Sequence, residues 1–436
     1  MVRNILGIIL FKAFCYYLSL NTNKYLNIIT SKNLSRDLLE KYQIECLKNY
    51  IDLQKNNFTN LFKRLDAKEI RSYSGLLKYL SLQKYSNKIS IKNAVDSLYN
   101  RNCRLKKNKI IRETTGTTGI PISIYLDHEN SSFQLMVRKY CFSWYSINIG
   151  VKEARFWGTK ENTFKYRFKN FILNRKIFNF FEDNSLNNAK RLINYNPLYF
   201  YGYSSLIFEA ARIFEKYKLT LPSLKAIFCT GETLFDYQKQ YIEKVFNCSV
   251  AREYGCSEVD IIAFECKKGK YHIVNPNIVL EDSTEGCVIT DLGNFSMPIF
   301  RYVLGDKLII GLNSCSCGNQ SPVIEKIEGR SISQKVILPN GKYLHAVVFA
   351  HIIEDLNRNI APIIRFRVYQ KSKLLFLFII ELEQIHENGI KNEIRKYIKS
   401  IVRERIHPKV IVNIHFKRIM PEPGRKYDYY ISEIND

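Results

Sequence analysis

The sequence has few acidic residues. Asp and Glu number 41 against 66 Lys and Arg, which gives a formal charge of +25 at pH 7. A basic excess of this size is compatible with nucleic acid, a membrane surface or an anionic substrate as a partner. The lysines are dispersed among Asn, Ile and Tyr residues, and no basic helix or recognisable nucleic-acid module accompanies them. We therefore expect no nucleic-acid partner.

Several short signatures are also missing. The chain contains neither GxxxxGK[ST] nor Gly-x-Ser-x-Gly, which argues against a P-loop nucleotidase and against a serine acyl hydrolase of that type. It has no internal repeat and no low-complexity linker. Its 11 cysteines follow no regular framework, which is typical of a reducing compartment. We expect a cytoplasmic protein.

The longest apolar run, Ile5–Leu20, is too short to cross a bilayer. A membrane-spanning helix needs about 20 apolar residues, and this run is interrupted by Lys12. It also lacks the small-residue cleavage site of a signal peptide. We predict an amphipathic helix that packs on the protein. The alternative is a helix that lies at the inner membrane surface and makes a peripheral contact.

The size and composition are those of a folded, multidomain protein. With 436 residues the chain is too long for one ordinary core, and 46% of its residues are hydrophobic. Residues 33–99 have mostly helical patterns, and later helices alternate with short β-branched strands, which indicates an α/β architecture. The segment YFYGYSS, residues 199–205, is predicted to be a turn between two helices.

The most informative segment is Arg112–Pro121, RETTGTTGIP. Two glycines allow backbone N–H groups to approach an anion, and four threonines supply hydroxyl donors. An apolar run, Ile122–Leu126, follows and is predicted to be a strand, so we expect the loop to lie between two strands. The loop residues are Thr114, Thr115, Gly116, Thr117, Thr118 and Gly119. A Thr/Gly-rich loop by itself is equally typical of an ordinary turn.

A βαβ unit follows, with a polar segment after each strand. Its first strand ends at Thr230-Gly231-Glu232, and its helix covers Asp236–Phe246. The second strand, Ser249–Glu253, leads into YGCSE, residues 254–258. Ligands bind at the carboxyl edge of such sheets. Tyr254 offers a flat face for a purine, and Glu258 is an oxygen ligand suited to Mg²⁺.

Three further motifs complete the series. PIFRYVLGD, residues 298–306, is predicted to be a strand whose following turn presents Asp306, a carboxylate suited to ribose hydroxyls. EGR places Arg330 after a glycine, and PGRK places Lys426 in a Pro/Gly loop near the C-terminus. Taken by itself, each of these motifs could also be an ordinary capped turn or, for Lys426, a solvated surface lysine.

Together and in this order, these motifs resemble those of the adenylate-forming superfamily of acyl-CoA synthetases. From about residue 100 onward the chain is most similar to the phenylacetate-CoA ligase branch and its capsular polysaccharide biosynthesis members. The resemblance implies an α/β fold, with a large multilayer N-terminal domain with mixed sheets and a small C-terminal α+β lid. It implies a helical layer over residues 1–100, a core for ATP and acyl substrate over 101–328, and a mobile lid over 329–436. Within the lid, the residue pattern predicts paired strands over Ile363–Tyr369 and Leu374–Leu382, a helix over Asn388–Arg405 and a strand over Val410–Phe416.

The resemblance also implies roles for single residues. Thr114–Gly119 would surround phosphates, Glu232 and Tyr254 would contact adenine, and Asp306 would bind ribose. Gly231, Gly255 and Ser257 would complete the nucleotide site. The implied catalytic residues are Glu258 with Mg²⁺, Arg330 near the hinge, and Lys426. The sequence departs from the family pattern at Ile120, at SISQ after Arg330 and at GRK before Tyr427.

The implied reaction activates a small carboxylic acid with ATP as an acyl-adenylate and then transfers the acyl group to CoA. A role in polysaccharide or capsule biosynthesis goes with this resemblance. One alternative is a ligase that acylates an amine or hydroxyl of a saccharide intermediate. Another is a catalytically idle member that acts as a scaffold, for which the altered hinge argues.

A metal site is the last expectation. Cys266 and His272, followed by Cys315 and Cys317, combine soft and borderline ligands in the number that suits tetrahedral zinc. The spacing is looser than that of a zinc finger, and free cysteines are often small core residues. Because CSCGN is a polar turn, we favour structural zinc. Four protein ligands would leave no open position for catalysis.

Overall fold

The structure is a computed structural model, and it describes most of the chain. The described residues are 2–17, 35–54, 70–101, 109–113, 123–157, 163–180, 185–297, 299–311, 315–330, 335–361, 363–382, 388–420 and 427–434. Helices and strands alternate through them, so the predicted mixed α/β class is confirmed. A large N-terminal part with several mixed sheets is followed by a smaller α+β part.

A nine-stranded mixed sheet forms the centre of the large part. Its strand order is β13-β14-β9-β8-β7-β6-β5-β3-β4. Pairing is parallel from β4 to β7 and antiparallel from β7 to β13. The strands are β3 (Glu153–Phe156), β4 (Arg175–Phe178), β5 (Tyr199–Tyr203), β6 (Ala226–Thr230), β7 (Ser249–Cys256), β8 (Asp260–Glu265), β9 (Tyr271–Ile273), β13 (Asp306–Gly311) and β14 (Val323–Arg330).

Strand β5 corrects one prediction. Tyr199–Tyr203 is a central strand of this sheet, not a turn, and all five of its residues are buried. Tyrosine favours strands, and pairing on both sides satisfies the backbone. Gly202 allows the close approach, since a Cβ atom there would lie 2.0 Å from the carbonyl oxygen of Phe156 on β3. Burial on both faces removes the alternation that reveals a strand in a sequence.

Helices cover both faces of the sheet. Helix α5 packs on one face, where Phe142 stacks on Phe228 with ring centroids 4.1 Å apart. Three helices pack on the other face through residues such as Leu192, Ile207 and Ile242. The helices are α5 (His128–Ser143), α6 (Phe164–Ile172), α7 (Ser185–Tyr195), α8 (Ser204–Lys216) and α9 (Asp236–Phe246). The predicted βαβ unit is confirmed as β6-α9-β7.

Smaller elements complete the large part. A hairpin precedes α5, and a three-stranded sheet packs against two N-terminal helices through residues such as Leu47, Leu80 and Val279. These elements are α1 (Val2–Tyr17), α2 (Arg36–Gln54), α3 (Tyr73–Ser81), α4 (Lys88–Arg101), β1 (Ile110–Glu113), β2 (Ser123–Leu126), β10 (Ile278–Glu281), β11 (Val288–Asp291) and β12 (Tyr302–Val303).

Helix α1 packs on the body through one face, as predicted, but it is not amphipathic, because Ile5, Leu6 and Ile9 outside that face are apolar and about half exposed. Gly7 is buried, and a Cβ atom there would lie 2.1 Å from the carbonyl oxygen of Gly150. The Asn4 side chain accepts a hydrogen bond from the backbone N–H of Lys152 (3.0 Å). Residues 18–20 of the predicted segment lie outside the described residues. Among the described helices, none is both long and apolar enough to cross a bilayer.

The small part is a four-stranded sheet with two helices. Its strand order is β19-β18-β17-β20, with β17 and β18 antiparallel and the outer pairs parallel. The predicted helix Asn388–Arg405 is found with those bounds. The elements are β15 (Lys335–Ile337), β16 (Tyr343–His345), α10 (Val347–Asn359), β17 (Ile363–Ser372), β18 (Leu375–Leu382), α11 (Asn388–Arg405), β19 (Ile411–Phe416) and β20 (Tyr430–Ser432).

A buried carboxylate joins the two parts. Glu209, on α8, accepts hydrogen bonds from Arg365 on β17 (3.1 Å), from Arg212 (3.2 Å) and from Arg418 (2.8 Å). Arg212 in turn binds Glu381 on β18 (2.7 Å). Burial by itself raises the pKa of Glu209, but the three arginines outweigh it and hold that pKa below its usual value. The contact surface therefore contains a fully paired ionic cluster.

We expect Arg365→Met to lower the free energy of unfolding by about 3 kcal/mol, because removing one partner of a buried ion pair leaves the other charge under-compensated. Urea denaturation of the full chain measures this. Lys399→Met, an exposed substitution on α11, is the control and should cost less than about 1 kcal/mol. Equal stability of the two variants would show that Arg212 and Arg418 suffice for Glu209.

Candidate functional site

The turn after β6 receives the C-terminal segment of the chain. Gly231 has φ +77°, a conformation that favours glycine, and it directs Glu232 toward α8. One carboxylate oxygen of Glu232 accepts from the backbone N–H of Ser205 (2.9 Å), and the other accepts from the backbone N–H of Tyr427 (2.7 Å). Burial raises the pKa of Glu232. Glu232, which is predicted to contact adenine, is thus hydrogen-bonded to Tyr427, the residue next to Lys426.

Tyr254 and Asp306, predicted to contact adenine and ribose, lie against each other. The Tyr254 hydroxyl donates to the Asp306 carboxylate at 2.7 Å. Burial and the adjacent carboxylate raise the pKa of Tyr254 well above its usual value, so the hydroxyl stays protonated and acts as the donor. Arg330 pairs with Asp306 across β13 and β14, which brings its backbone to the same place.

Two predicted local structures differ here. YGCSE is not all turn, because Tyr254–Cys256 continue β7, and only residues 257–259 form the turn to β8. PIFRYVLGD is not one strand: only Tyr302–Val303 pair as β12, and Asp306 begins β13. Tyr254–Cys256 belong to a strand because they pair with β8 across a short turn, and Tyr302–Val303 because they pair with β11. Pro298 lies outside the described residues.

Glu258 is a buried carboxylate at this edge. The Tyr302 hydroxyl donates to it at 3.1 Å. Gly255 stands at a bulge in β7, where a Cβ atom would lie 2.1 Å from the carbonyl oxygen of Asp260. Ser257 is exposed in the turn. One buried carboxylate fits Mg²⁺, which takes one or two protein carboxylates and otherwise water and substrate phosphates.

The Thr/Gly loop itself and Lys426 lie outside the described residues, but the base of the loop does not. Strands β1 and β2 form an antiparallel hairpin in which Glu113 pairs with Ser123, so the loop connects two strands as predicted. Arg112 forms an ion pair with Asp260 (3.5 Å), two residues beyond Glu258. The base of the loop therefore lies beside the turn that carries Glu258.

Sequence reasoning missed an aromatic and cationic group at the carboxyl ends of β3 and β5. Trp157 stacks on Tyr203 with ring centroids 4.3 Å apart, and the Arg155 guanidinium lies 4.6 Å from the centroid of Tyr201. Arg138, on α5, bonds Glu253 (3.0 Å) and also Asp260. The residue pattern predicts a short buried strand over Ala154–Thr159, and the tryptophan near its end is the signal that could have revealed this group. The rings of Trp157, Tyr201 and Tyr203, which we call the aromatic wall, lie at the same sheet edge as Glu232.

The four predicted metal ligands come together. The ligand atoms of Cys266, His272, Cys315 and Cys317 all lie within 4.8 Å of one another. The Sγ atoms of Cys266 and Cys315 are 3.8 Å apart, far beyond a disulfide bond. Four ligands at about 2.3 Å in a tetrahedron place sulfur atoms about 3.8 Å apart. The spacing therefore fits tetrahedral zinc.

The surroundings of the cluster fit a metal as well. His272 Nδ1 lies 3.1 Å from the carbonyl oxygen of Ser321, and Nε2 lies 3.3 Å from the Cys317 sulfur. A carbonyl that takes the Nδ1–H leaves Nε2 available for a metal. Gly269 and Gly318, each with positive φ, close the turns that carry Cys266 and the Cys315/Cys317 pair. Backbone turns and a buried imidazole thus preorganise the four ligands.

Comparisons with known proteins place this fold among the adenylate-forming ligases. 2-Hydroxyisobutyryl-CoA ligase in the postadenylation state, in complex with 2-HIB-AMP, has a TM-score of 0.71 and 14% identity over 92% of this chain and 91% of that chain. The same enzyme with CoA in the thioesterification state has a TM-score of 0.53 and 16% identity over 90% and 89%. The two-part architecture expected from the sequence is confirmed.

The chain also resembles a curated protein in sequence. Protein CapK of Staphylococcus aureus is 25% identical over an alignment of 421 residues that covers 91% of this chain and 89% of that protein. Amide bond synthetase McbA of Marinactinospora thermotolerans has a TM-score of 0.50 and 9% identity over 73% of this chain and 67% of that one. No family model matches the chain. The resemblance to adenylate-forming enzymes and to CapK, predicted from the sequence, is confirmed.

We expect about one zinc ion per chain, and we expect Cys315→Ser to lower thermal stability, because a metal that binds the folded state adds to the free energy of unfolding. Metal analysis of protein purified without chelator, with thermal melts, measures both. Cys248→Ser alters a cysteine outside the cluster and should keep the zinc. Less than about half an equivalent of zinc, with Cys315→Ser as stable as the parent, would contradict the site.

Proposed function

We propose that this protein is an AMP-forming ligase that activates a small carboxylic acid with ATP and Mg²⁺ as an acyl-adenylate. The observation that carries the proposal is the 2.7 Å hydrogen bond from the Tyr427 backbone to Glu232. It joins the C-terminal segment of the small part to the predicted adenine turn of the large part. Lys426, the proposed catalytic lysine, immediately precedes Tyr427 in the chain. A contact at this spot is what adenylation by a lysine on a small domain requires.

In this proposal each part of the site has one task. The loop of residues 114–119 surrounds the phosphates, and the pair of Tyr254 and Asp306 orients adenosine, with Asp306 accepting from ribose hydroxyls. Gly231 and Glu232 border the adenine. The aromatic wall that includes Trp157 borders the acyl group at the same sheet edge. Mg²⁺ held by Glu258 would supply charge neutralisation on the phosphates.

The proposed reaction has two steps. A carboxylate oxygen of the acid attacks the α-phosphorus of ATP, the bond from that phosphorus to the bridging oxygen breaks, and pyrophosphate leaves. Lys426 stabilises the negative charge that builds on the α-phosphate. In the second step a thiol attacks the acyl carbon, loses its proton, and AMP leaves. The first step is the same whichever group accepts the acyl group in the second.

CoA is the favoured acceptor, since a CoA ligase shares the fold over 92% of this chain. The runner-up is an amine or hydroxyl of a saccharide intermediate in polysaccharide or capsule biosynthesis, which the similarity to CapK and the likeness to an amide bond synthetase support. A scaffold without catalysis is the third candidate. Consumption of CoA separates the first two, and pyrophosphate release separates both from the third. We place the enzyme in the cytoplasm.

The second step requires the lid, residues 329–436, to turn about a hinge near Arg330. The arrangement described here is more similar to a postadenylation state than to a thioesterification state of one related fold, with TM-scores of 0.71 and 0.53. The contacts of Glu209 with Arg365 and Arg418 would have to separate in such a turn. Domain rotation in this chain is therefore opposed by the ionic cluster.

We expect wild-type protein to release pyrophosphate from ATP and Mg²⁺ only when a suitable carboxylate is added, as a panel of acids would reveal. Glu258→Gln should reduce that rate by about 10²-fold or more, because it removes a charged metal ligand at nearly constant volume. Glu285→Gln, on an exposed turn, is the matched control and should keep the wild-type rate. Near-normal activity of Glu258→Gln would show that another residue holds the metal.

We expect Lys426→Ala to slow acyl-adenylate formation by roughly 10²- to 10³-fold, the scale of losing one preorganised charge donor. Capture of a chemically supplied acyl-adenylate by the acceptor should be nearly unaffected. Single-turnover assays of the two half-reactions measure this, with Lys417→Ala as a control lysine on the small part. Equal slowing of both half-reactions would indicate damage to the fold, and an unchanged first half-reaction would remove Lys426 from the mechanism.

A further inference from the structure

Helix α6 presents a row of phenylalanines to solvent. Phe164, Phe168 and Phe171 are 84%, 57% and 62% exposed. Their spacing of four and three residues puts them on one face of the helix, and the first two rings stack with centroids 6.4 Å apart. Thr163 caps the helix by accepting from the backbone N–H of Tyr166 (3.3 Å), so the row belongs to an ordered helix.

Helix α1 contacts α6 and adds aliphatic side chains. Ile5, Leu6 and Ile9 are each about half exposed. They are not a core left open by a detached helix, because α1 is held to the body through Gly7 and Asn4. Six large apolar side chains are thus exposed on two neighbouring, anchored helices, which we call the α1–α6 face. Exposed apolar patches of this kind mark interaction sites.

The two helices of this face carry charge of one sign. Val2–Tyr17 and Phe164–Ile172 contain five basic residues and no acidic residue. Arg3, Lys12 and Arg167 are exposed among the apolar side chains. Helix α6, FKYRFKNFI, is a basic helix, so the expectation that no basic helix accompanies the positive charge is wrong. A second copy of the chain is disfavoured as the covering partner, since like basic charges would face each other.

We propose that the α1–α6 face docks on an anionic phospholipid leaflet, with the α6 phenylalanines inserted at the boundary of headgroups and acyl chains. An anionic surface satisfies the unbalanced basic charge, and the boundary region accepts aromatic side chains without specific hydrogen bonds. Such docking requires no membrane-spanning helix. It extends the chemistry proposed above without depending on it, since no residue of the face belongs to the nucleotide site.

Sedimentation of the full chain with vesicles tests the proposal. We expect binding to vesicles of equimolar phosphatidylcholine and phosphatidylglycerol, little binding to phosphatidylcholine alone, and loss of binding at high salt. Phe168→Ser with Phe171→Ser should weaken binding by about tenfold or more. Ile411→Ser, which removes an equally exposed apolar side chain from the small part, should leave it unchanged. Thermal melts confirm that each variant folds.

A second readout detects insertion directly. Phe168→Trp should show a blue-shifted emission spectrum when anionic vesicles are added, beyond any change in the parent protein. The proposal is overturned if the parent fails to sediment with anionic vesicles, or if the double serine variant binds as tightly as Ile411→Ser. It is equally overturned if the parent forms a dimer that the double variant abolishes, since a second copy would then cover the face.

Discussion

The arrangement of the two parts depends on one buried carboxylate. Glu209 has no exposure to water and is stabilised only because arginines from both parts converge on it. An isolated charge at that depth would be costly, so the small part is held where Arg365 and Arg418 can reach it. This position also brings the Tyr427 backbone to Glu232. The ionic cluster thus sets the geometry on which the proposed adenylation step relies, and it opposes the domain turn that thioesterification by a rotating lid would need.

Chemical groups gather at one sheet edge because of strand direction. Strands β3, β5, β6 and β7 are parallel, so the residues that follow them meet at their common carboxyl end. Trp157, Tyr203, Glu232 and Glu258 are far apart in sequence and come together for this reason alone. The antiparallel extension through β8, β9 and β14 adds Asp306 from the side, where the Tyr254 hydroxyl binds it. Parallel and antiparallel halves of one sheet therefore contribute different walls of the candidate site.

The cysteine and histidine cluster is placed to stabilise the antiparallel half. Cys266 and His272 flank the β8–β9 turn, and Cys315 and Cys317 precede β14, which pairs with β9 at His272. A metal at this point would join two hairpins that share only a short stretch of pairing. Strand β14 begins beside the cluster and ends at Arg330, where the proposed lid begins. A metal in the cluster would therefore stabilise the strand that leads into the lid. A metal held there by four protein ligands would stabilise the sheet and would have no open position for a substrate.

The sequence by itself determined what is local: the Thr/Gly loop between strands, the β6-α9-β7 unit, the helix Asn388–Arg405 and the four metal ligands. These are set by side-chain periodicity, by turn residues and by ligand type, all of which act over short distances along the chain. The tertiary structure alone decided that Tyr199–Tyr203 is a strand, that Tyr254 binds Asp306, and that Glu209 holds both parts together. Each of these depends on partners distant in the sequence, namely β3 and β6 for Tyr199–Tyr203, Asp306 for Tyr254, and Arg365 with Arg418 for Glu209, and on burial that only the assembled sheet creates. Distant pairing and burial are not encoded in any local sequence pattern.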